Sequence, residues 1–276
     1  MIWINPKYAI LIDYIRSFDK VAVAFSGGVD STFLLKASVD ALGSDVMAIT
    51  VVSPYIPKWE VEEAESITSS YGIEHRLLKV PINSEICCNP ENRCYICKKM
   101  MFSMMKDMAS RFGYNEIMDG TNLDDLSDYR PGLLALSELN VRTPLLDLKI
   151  SKEEIREMSL DLGLSTWDKS AYACLLSRIP YGQKITLDDL KRIEAAEKYM
   201  MDRGFKWIRV RSHGDLARIE VKSDQRYRLF NENLLDKIDL KLRELGYRYV
   251  TFDMKGYRRG SLNEQIDVVG RKPNGE

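Results

Sequence analysis

Between an apolar run, Val21 to Phe25, and a helically spaced segment, Thr32 to Leu42, the chain carries Ser26-Gly27-Gly28-Val29-Asp30-Ser31. A strand-to-helix turn of this kind offers free backbone N–H groups and the positive end of a helix dipole, which together make an anion site. Gly27 and Gly28 let the backbone turn against phosphate oxygens with no Cβ in the way. Ser26 and Ser31 add hydroxyl donors, and Asp30 could hold Mg²⁺ or brace the loop. A glycine pair alone is commonly just a tight turn; the whole hexapeptide at the first βα turn of an α/β pattern points to phosphate. The Gly-Lys-Ser/Thr ending with which a Walker A loop handles β and γ phosphates is missing. Departure of pyrophosphate as a leaving group is therefore expected, not γ-phosphate transfer.

The second set of reactive residues is sulfur. Cys94 and Cys97 stand three apart at the start of a predicted helix, Tyr95 to Phe112, where the helix dipole favours thiolates. Two thiols do not close a tetrahedral zinc site. With a third cysteine they can hold three irons of a 4Fe-4S cluster and leave the fourth open. Cys174, in the non-periodic run Trp167 to Gly182, is the natural third, and Lys169 and Arg178 of that run are expected to lower its pKa; a lone cysteine is as often inert core. Cys87 and Cys88 read as structural. Arg209 and Arg211 alternate with Val210, so both guanidinium groups face one side of a strand. They could clamp a phosphate bidentately or form a solvated face. Asp128 and Arg130 fall in the loop after the fourth predicted strand, near the strand ends where α/β sheets place ligands. Asp124 and Asp125 could be solvated loop acids, and His75 and His213 are given no role.

These residues need a scaffold, and the pattern supplies one. Val21 to Phe25, Val46 to Val52, His75 to Val80 and Glu116 to Asp119 read as strands, alternating with helices over Thr32 to Leu42, Glu60 to Tyr71 and Tyr95 to Phe112. That rhythm predicts a parallel sheet covered by helices. Ser151 and Glu154 fit a capping box at the head of a helix from Lys152 to Leu162. An irregular stretch, Ser165 to Lys184, follows, and the predicted domains are 1–184 and 185–276. The second is a small α+β unit: a helix from Leu187 to Arg203, paired strands Trp207 to Arg211 and Ala217 to Val221, a helix from Asp224 to Leu245 and a strand from Tyr249 to Asp253. The tail from Arg271 reads as disordered.

The 276 residues are 45% hydrophobic and 29% charged, as in ordinary globular chains. No apolar run approaches the roughly 20 residues of a membrane span, and the first residues lack the regions of a signal peptide, so a cytoplasmic protein is expected. A formal charge of -1 and a pI near 6.2 disfavour nucleic acid as a partner. Five cysteines in such a context argue against a disulfide framework.

The phosphate loop resembles that of the PP-loop ATP pyrophosphatases, an α/β fold whose members adenylate a substrate. A closer resemblance, to the LarE family of ATP-dependent sulfur transferases, spans nearly the whole chain. It rests on Ser26 to Ser31, Arg93 to Lys98, Asp119-Gly120-Thr121-Asn122, Asp128 to Gly132 and Ala173 to Gly182. It continues through Arg209-Val210-Arg211, Ala217 to Glu220 and Gly256 to Glu264. The resemblance implies conversion of pyridinium-3,5-biscarboxylate mononucleotide to the bis-thiocarboxylate, for the nickel-pincer nucleotide cofactor of lactate racemase. It implies ATP on Ser26, Gly27, Gly28, Asp30, Ser31 and Thr32, the substrate nucleotide on Arg209, Arg211, Ser177 and Arg178, and catalytic roles for Asp30 and Cys174. Some members have only the cysteine matching Cys174 and sacrifice its sulfur. This chain adds Cys94 and Cys97 and so looks like the form that carries a 4Fe-4S cluster on all three. A sulfur donor and a homo-oligomeric state are further implications. The alternative is a cluster-dependent tRNA thiolase, against which stand the acidic pI and the lack of zinc ribbons or a basic domain. A non-catalytic iron-sulfur or nucleotide sensor is a third reading.

Overall fold

Asn5 accepts the amide of Lys7 at 2.9 Å and Pro6 occupies the first helical position, so the chain opens with a helix that its spacing does not announce, α1 (Pro6–Ile15). A computed structural model describes residues 5–127, 132–169, 174–258 and 261–262. The predicted alternation follows: β1 (Val21–Ala24), α2 (Val29–Leu42), β2 (Val46–Val52), α3 (Lys58–Ser69), β3 (Glu74–Lys79), α4 (Arg93–Arg111) and β4 (Glu116–Met118). The four strands are all parallel, in the order β3-β2-β1-β4.

Side chains of β1 alternate between two cores. Val21 and Val23 join Phe33 and Leu34 of α2 and Tyr8, Leu11 and Ile15 of α1; Ala22 joins Met47 and Ile49 of β2 with Phe102, Met105 and Ala109 of α4. A strand covered on both faces has no position for a polar side chain, which is why β1 reads as an unbroken apolar run. Three helices complete the series, α5 (Gly132–Glu138), α6 (Pro144–Asp147) and α7 (Lys152–Asp161). The predicted capping box is formed, with Glu154 N–H on Ser151 Oγ (3.3 Å) and Ser151 N–H on Glu154 Oε2 (2.9 Å).

Backbone contacts divide the chain into two units, Met1–Asn83 with Asn92–Tyr172, and Ser84–Glu91 with Ala173–Glu276. The second unit holds α8 (Leu187–Met201), β5 (Arg209–His213), β6 (Leu216–Glu220), α9 (Glu232–Glu244) and β7 (Tyr249–Phe252). β5 pairs antiparallel with β6, and β6 parallel with β7. The single helix expected over Asp224 to Leu245 is broken: a 3₁₀ helix spans Ser223–Phe230, and α9 starts afresh after Asn231. Asn231 has extended backbone and accepts Leu234 N–H at 3.0 Å. Its short polar side chain competes for the backbone in a helix interior but satisfies an orphan amide at a helix start.

The octapeptide Ser84–Glu91 belongs to the second unit although its neighbours in sequence belong to the first. Asn89 anchors it. This residue is fully buried with φ 49°, and its Nδ2 reaches the carbonyl oxygens of Ile179 (2.7 Å), Pro180 (3.0 Å) and Leu176 (3.4 Å). Gly182 N–H returns to Asn89 O at 3.2 Å and Ile185 N–H to Cys87 O at 2.8 Å. Asn89→Ala is expected to lower unfolding free energy in urea by about 1–3 kcal/mol, the cost of leaving buried carbonyls unmet. Asn89→Gly should lose less, because glycine adopts the left-handed backbone without strain.

Candidate active site

The phosphate loop is built on the exit of β1. Phe25 N–H bonds Ile49 O at 2.9 Å, and Thr50 Oγ1 donates to Phe25 O at 2.8 Å, so the last extended residue is tied to β2 before the chain turns. Behind Thr50 stands His75, which the spacing leaves without a role. Its Nε2 is 2.8 Å from Thr50 Oγ1 and its Nδ1 2.9 Å from Thr68 Oγ1, and burial holds its pKa below the ordinary histidine value. Nothing in the spacing of β3 distinguishes His75 from a half-exposed strand residue; only the strand order brings it to Thr50.

Gly27 has φ 68°, and a Cβ there would meet the Ala64 backbone of α3 at 3.4 Å. Gly120, just past β4, lies closer still: its Cβ would be 3.1 Å from the backbone of Asp30 and Ser31. Ser26 and Ser31 hydroxyls are 3.1 Å apart, Ser31 Oγ accepts Ser26 N–H at 3.3 Å, and Ser26 Oγ accepts Gly28 N–H at 3.4 Å. Gly28 starts α2 with no side-chain cap, which leaves first-turn amides of the helix for an anion. Thr32 is buried in the second turn, its Oγ1 without a partner among the described residues.

Asp30 is braced. Lys152, the first residue of α7, sets Nζ 2.7 Å from both Asp30 carboxylate oxygens. Burial raises the Asp30 pKa above the ordinary aspartate value, and Lys152 works against it. Lys169 donates to Gly27 O at 2.7 Å and to Glu63 at 2.6 Å. Lys98 of α4 is 3.9 Å from Asp119, whose Oδ1 accepts the Thr121 amide at 2.9 Å. Three lysines thus ring the loop. None has a motif spacing to the glycines, and the tertiary fold alone collects them.

A cavity of about 310 Å³ opens beside the loop. Ser26, Gly28, Asp30, Ser31, Asp119 and Gly120 line it with polar groups and backbone, and Val51, Ile56, Val61, Met101, Phe102 and Met105 with apolar ones. A triphosphate with an attached base presents the same two chemistries.

Cys94 and Cys97 occupy the first turn and a half of α4, Cys94 exposed and Cys97 buried. Burial pushes the Cys97 thiol up, partly offset by a hydrogen bond with Tyr55 Oη at 3.3 Å. Among the described residues no three His, Cys, Asp or Glu side chains are grouped for a metal ion.

Within the second unit, Cys174 is exposed at the head of the 3₁₀ turn Leu175–Arg178, and its carbonyl accepts Ser177 N–H (3.0 Å) and Arg178 (3.2 Å). Arg178 is buried and forks onto Glu197 of α8 with two bonds of 2.8 Å. Arg211 forks onto Glu220 with two bonds of 3.0 Å and donates to Ser177 O and to Ser261 Oγ. Arg209 donates to Ile208 O at 2.7 Å and lies 5.1 Å from the Tyr257 ring centre. Burial, then the charge of Arg178, depresses its pKa to about 10. Both strand arginines are buried, at 3% and 6% exposure, so β5 does not present them as a solvated face. Burial pushes the Glu197 carboxyl up, but Arg178 outweighs it and holds the group below the ordinary glutamate range. Three buried guanidinium groups face two buried carboxylates, an electropositive site suited to a phosphate.

Asp128, Arg130, Ser170 to Ala173, Arg259, Gly260, Asn263 and Glu264 lie outside the described residues. Among the described residues no helix is long and apolar enough to cross a membrane.

No protein-family model matches the chain. A stretch of 88 residues, 28% of the chain, is 36% identical to the glutamine-dependent NAD(+) synthetase of Aquifex aeolicus, covering 16% of that protein. With the parallel sheet and the glycine turn at the head of α2, this likeness defines the fold as that of the PP-loop ATP pyrophosphatases. Over nearly its full length the chain is similar to two further proteins. It is 36% identical over 271 residues to pyridinium-3,5-bisthiocarboxylic acid mononucleotide synthase of Lactiplantibacillus plantarum, covering 96% of this chain and 97% of that one. It is 41% identical over 265 residues to an uncharacterized protein of a Synechocystis strain, covering 95% and 99%. The chain belongs to the LarE family of pyridinium-3,5-bisthiocarboxylic acid mononucleotide synthases.

The Asp30–Lys152 pair gives the site a pH signature. With its folded-state pKa raised by burial, Asp30 binds its proton more tightly in the folded chain than in the unfolded one, so its contribution to stability falls as pH rises from about 3.9 through the folded pKa. In Lys152→Met the opposing charge is gone, and the decline should extend to higher pH. Urea midpoints measured across that range for both proteins check this.

Proposed function

We propose that the protein is an ATP-dependent sulfur transferase that adenylates the carboxylates of pyridinium-3,5-biscarboxylic acid mononucleotide and replaces carboxylate oxygen by sulfur. The observation that carries this reading is the phosphate loop at the head of α2, opening on a cavity lined by both polar loop atoms and apolar side chains. A carboxylate is a poor electrophile because its leaving group would be oxide. Attack of a carboxylate oxygen on the α-phosphorus of ATP breaks the bond to the β-phosphate, releases pyrophosphate and leaves an acyl-adenylate. A sulfur nucleophile then adds to the carbonyl, and AMP departs with the former carboxylate oxygen.

The chain's own groups serve the first step by position and charge. First-turn amides of α2 and the hydroxyls of Ser26 and Ser31 receive the departing pyrophosphate. Lys152 and Lys169 hold the loop through Asp30 and Gly27 and add positive charge where negative charge develops. Asp30 would hold Mg²⁺, which when bound would neutralise phosphate charge. Arg209 and Arg211 of the second unit hold the substrate's phosphate, with Ser177 beside them. The buried forks of Arg178 onto Glu197 and of Arg211 onto Glu220 fix those two guanidinium planes before substrate arrives. Cys94, Cys97 and Cys174 would hold a 4Fe-4S cluster, which when bound supplies a sulfide on its open iron. The spacing of the first two at the start of α4 and the exposure of Cys94 and Cys174 support that assignment.

Single-turnover reaction of labelled ATP with the pyridinium dicarboxylate is expected to give AMP and pyrophosphate, slowed about 10²-fold in Asp30→Ala through lost preorganisation of the loop. Formation of ADP and orthophosphate would overturn the reading. Anaerobically purified protein should show iron-sulfur absorbance, and Cys94→Ala should lose both that band and thiocarboxylate formation while still releasing pyrophosphate. Full thiolation by iron-free Cys94→Ala protein would instead assign the transferred sulfur to Cys174.

A further inference from the structure

Two thiols outside these sites face each other. Cys87 and Cys88 are free, with Sγ atoms 3.7 Å apart, Cys87 half-buried and Cys88 exposed. Their backbone is firmly held. Cys87 O accepts Ile185 N–H at 2.8 Å, Cys87 N–H reaches Ser84 O at 3.3 Å, and the next residue is the buried Asn89 with its amide on the carbonyls of Leu176, Ile179 and Pro180. Adjacent thiols therefore stand on a fixed footing at the surface, in the same unit as Cys174 and tied to the turn that Cys174 begins. Core packing does not account for an exposed cysteine. The hydrogen bond and charge of Cys87 push the Cys88 thiol up, so Cys88 holds its proton more tightly than an isolated cysteine, and it is the geometry that marks the pair: two sulfurs in contact, one of them open to solvent. That arrangement sets an attacking thiol next to a resolving one.

We propose that Cys87 and Cys88 form a sulfur-acceptor site that takes sulfane sulfur from a low-molecular-weight persulfide and releases it as hydrosulfide. The inference rests on the sulfur-transfer reading and gives that chemistry a source of sulfur. Cys88, the one a donor in solvent can reach, gives its proton to water and attacks the outer sulfur of R–S–SH. The donor's S–S bond breaks, R–S⁻ leaves, and Cys88 carries S–SH. Cys87 gives its proton to water and attacks Sγ of Cys88; a Cys87–Cys88 bond forms, the bond to the outer sulfur breaks, and HS⁻ leaves with the electron pair. The two electrons that reduce the sulfane sulfur come from the thiol pair, which ends as a disulfide, and a dithiol reductant restores it. A disulfide between adjacent residues closes a small strained ring, and strain makes it readily reduced, so the pair can be reset.

The test is to incubate the anaerobic full-length protein with glutathione persulfide labelled in its outer sulfur, then measure released labelled sulfide and map the cysteines by mass spectrometry. The wild-type protein should release label and show the Cys87–Cys88 disulfide. Cys87→Ser should keep one extra sulfur on Cys88 and lose nearly all release, and Cys88→Ser should take up none. Label carried by Cys94, Cys97 or Cys174 alone, or undiminished release by the protein with both substitutions, would overturn the assignment. AMP and pyrophosphate formation, assayed separately, should be unchanged in both variants. Protein that releases labelled sulfide but makes no AMP would retire the sulfur-transfer reading and leave the acceptor site standing.

Discussion

The amino end of α2 lies against β4's exit so closely that a single added carbon on Gly120 would sit 3.1 Å from the backbone of Asp30 and Ser31. On the other side, Gly27 turns with positive φ over Ala64 of α3. Between these two contacts the loop has one path, and along it the hydroxyls of Ser26 and Ser31 meet and the first-turn amides of the helix are left without carbonyl partners. The rest of the first unit serves that path. β1 and β2 must be buried on both faces to bring α2 and α3 to the same edge, and Thr50, backed by His75, must hold Phe25 O so that the turn begins at a fixed point. A helix start pressed this tightly against its neighbours cannot take up a side chain, but it can take up phosphate oxygens, which need only the N–H groups.

Charge is managed in the same spirit. Around the loop each lysine has a carboxylate partner, Lys152 with Asp30, Lys169 with Glu63 and Lys98 with Asp119. Positive charge is thereby held in place until a more highly charged anion competes for it. In the second unit the arginine–glutamate forks are buried outright. Desolvating such pairs costs about as much as their attraction returns, so they add little to stability. What they do is orient: Glu197 and Glu220 hold the Arg178 and Arg211 guanidinium groups each in one plane. Arg209, removed from water first and crowded by Arg178 second, has its pKa depressed to about 10.

Sulfur is distributed over three places with different surroundings. Cys97 is buried against Tyr55, where its thiol resists ionisation; Cys174 stands exposed at the mouth of a 3₁₀ turn; and Cys87 and Cys88 sit together on a segment clamped by Asn89. Burial, exposure and pairing are three ways of making identical side chains unlike.

Much of this was legible from residue order. Unbroken apolar runs declared β1 and β2, because strands buried on both faces exclude polar residues. The hexapeptide Ser26 to Ser31 between strand and helix declared the phosphate loop, and Ser151 with Glu154 declared the start of α7; each of these is a local rule with a local cause. The residues that meet the loop from afar were not legible: Lys152, Lys169 and His75 carry no spacing relative to the glycines, and chain reversal through the parallel sheet alone brings them within hydrogen-bond distance. Lys169 and Arg178 were read as cations that could lower the Cys174 pKa; their other partners, Gly27 and Glu63 for Lys169 and Glu197 for Arg178, could not be read from the sequence. Asn231 broke a predicted helix because a cap competes with continuation, a balance that propensity alone does not decide. Sequence by itself determined which segments are strand, helix and phosphate turn, since those depend on side chains a few positions apart. Only the tertiary structure decided which charges meet and which thiols pair, since those depend on where distant segments come to rest.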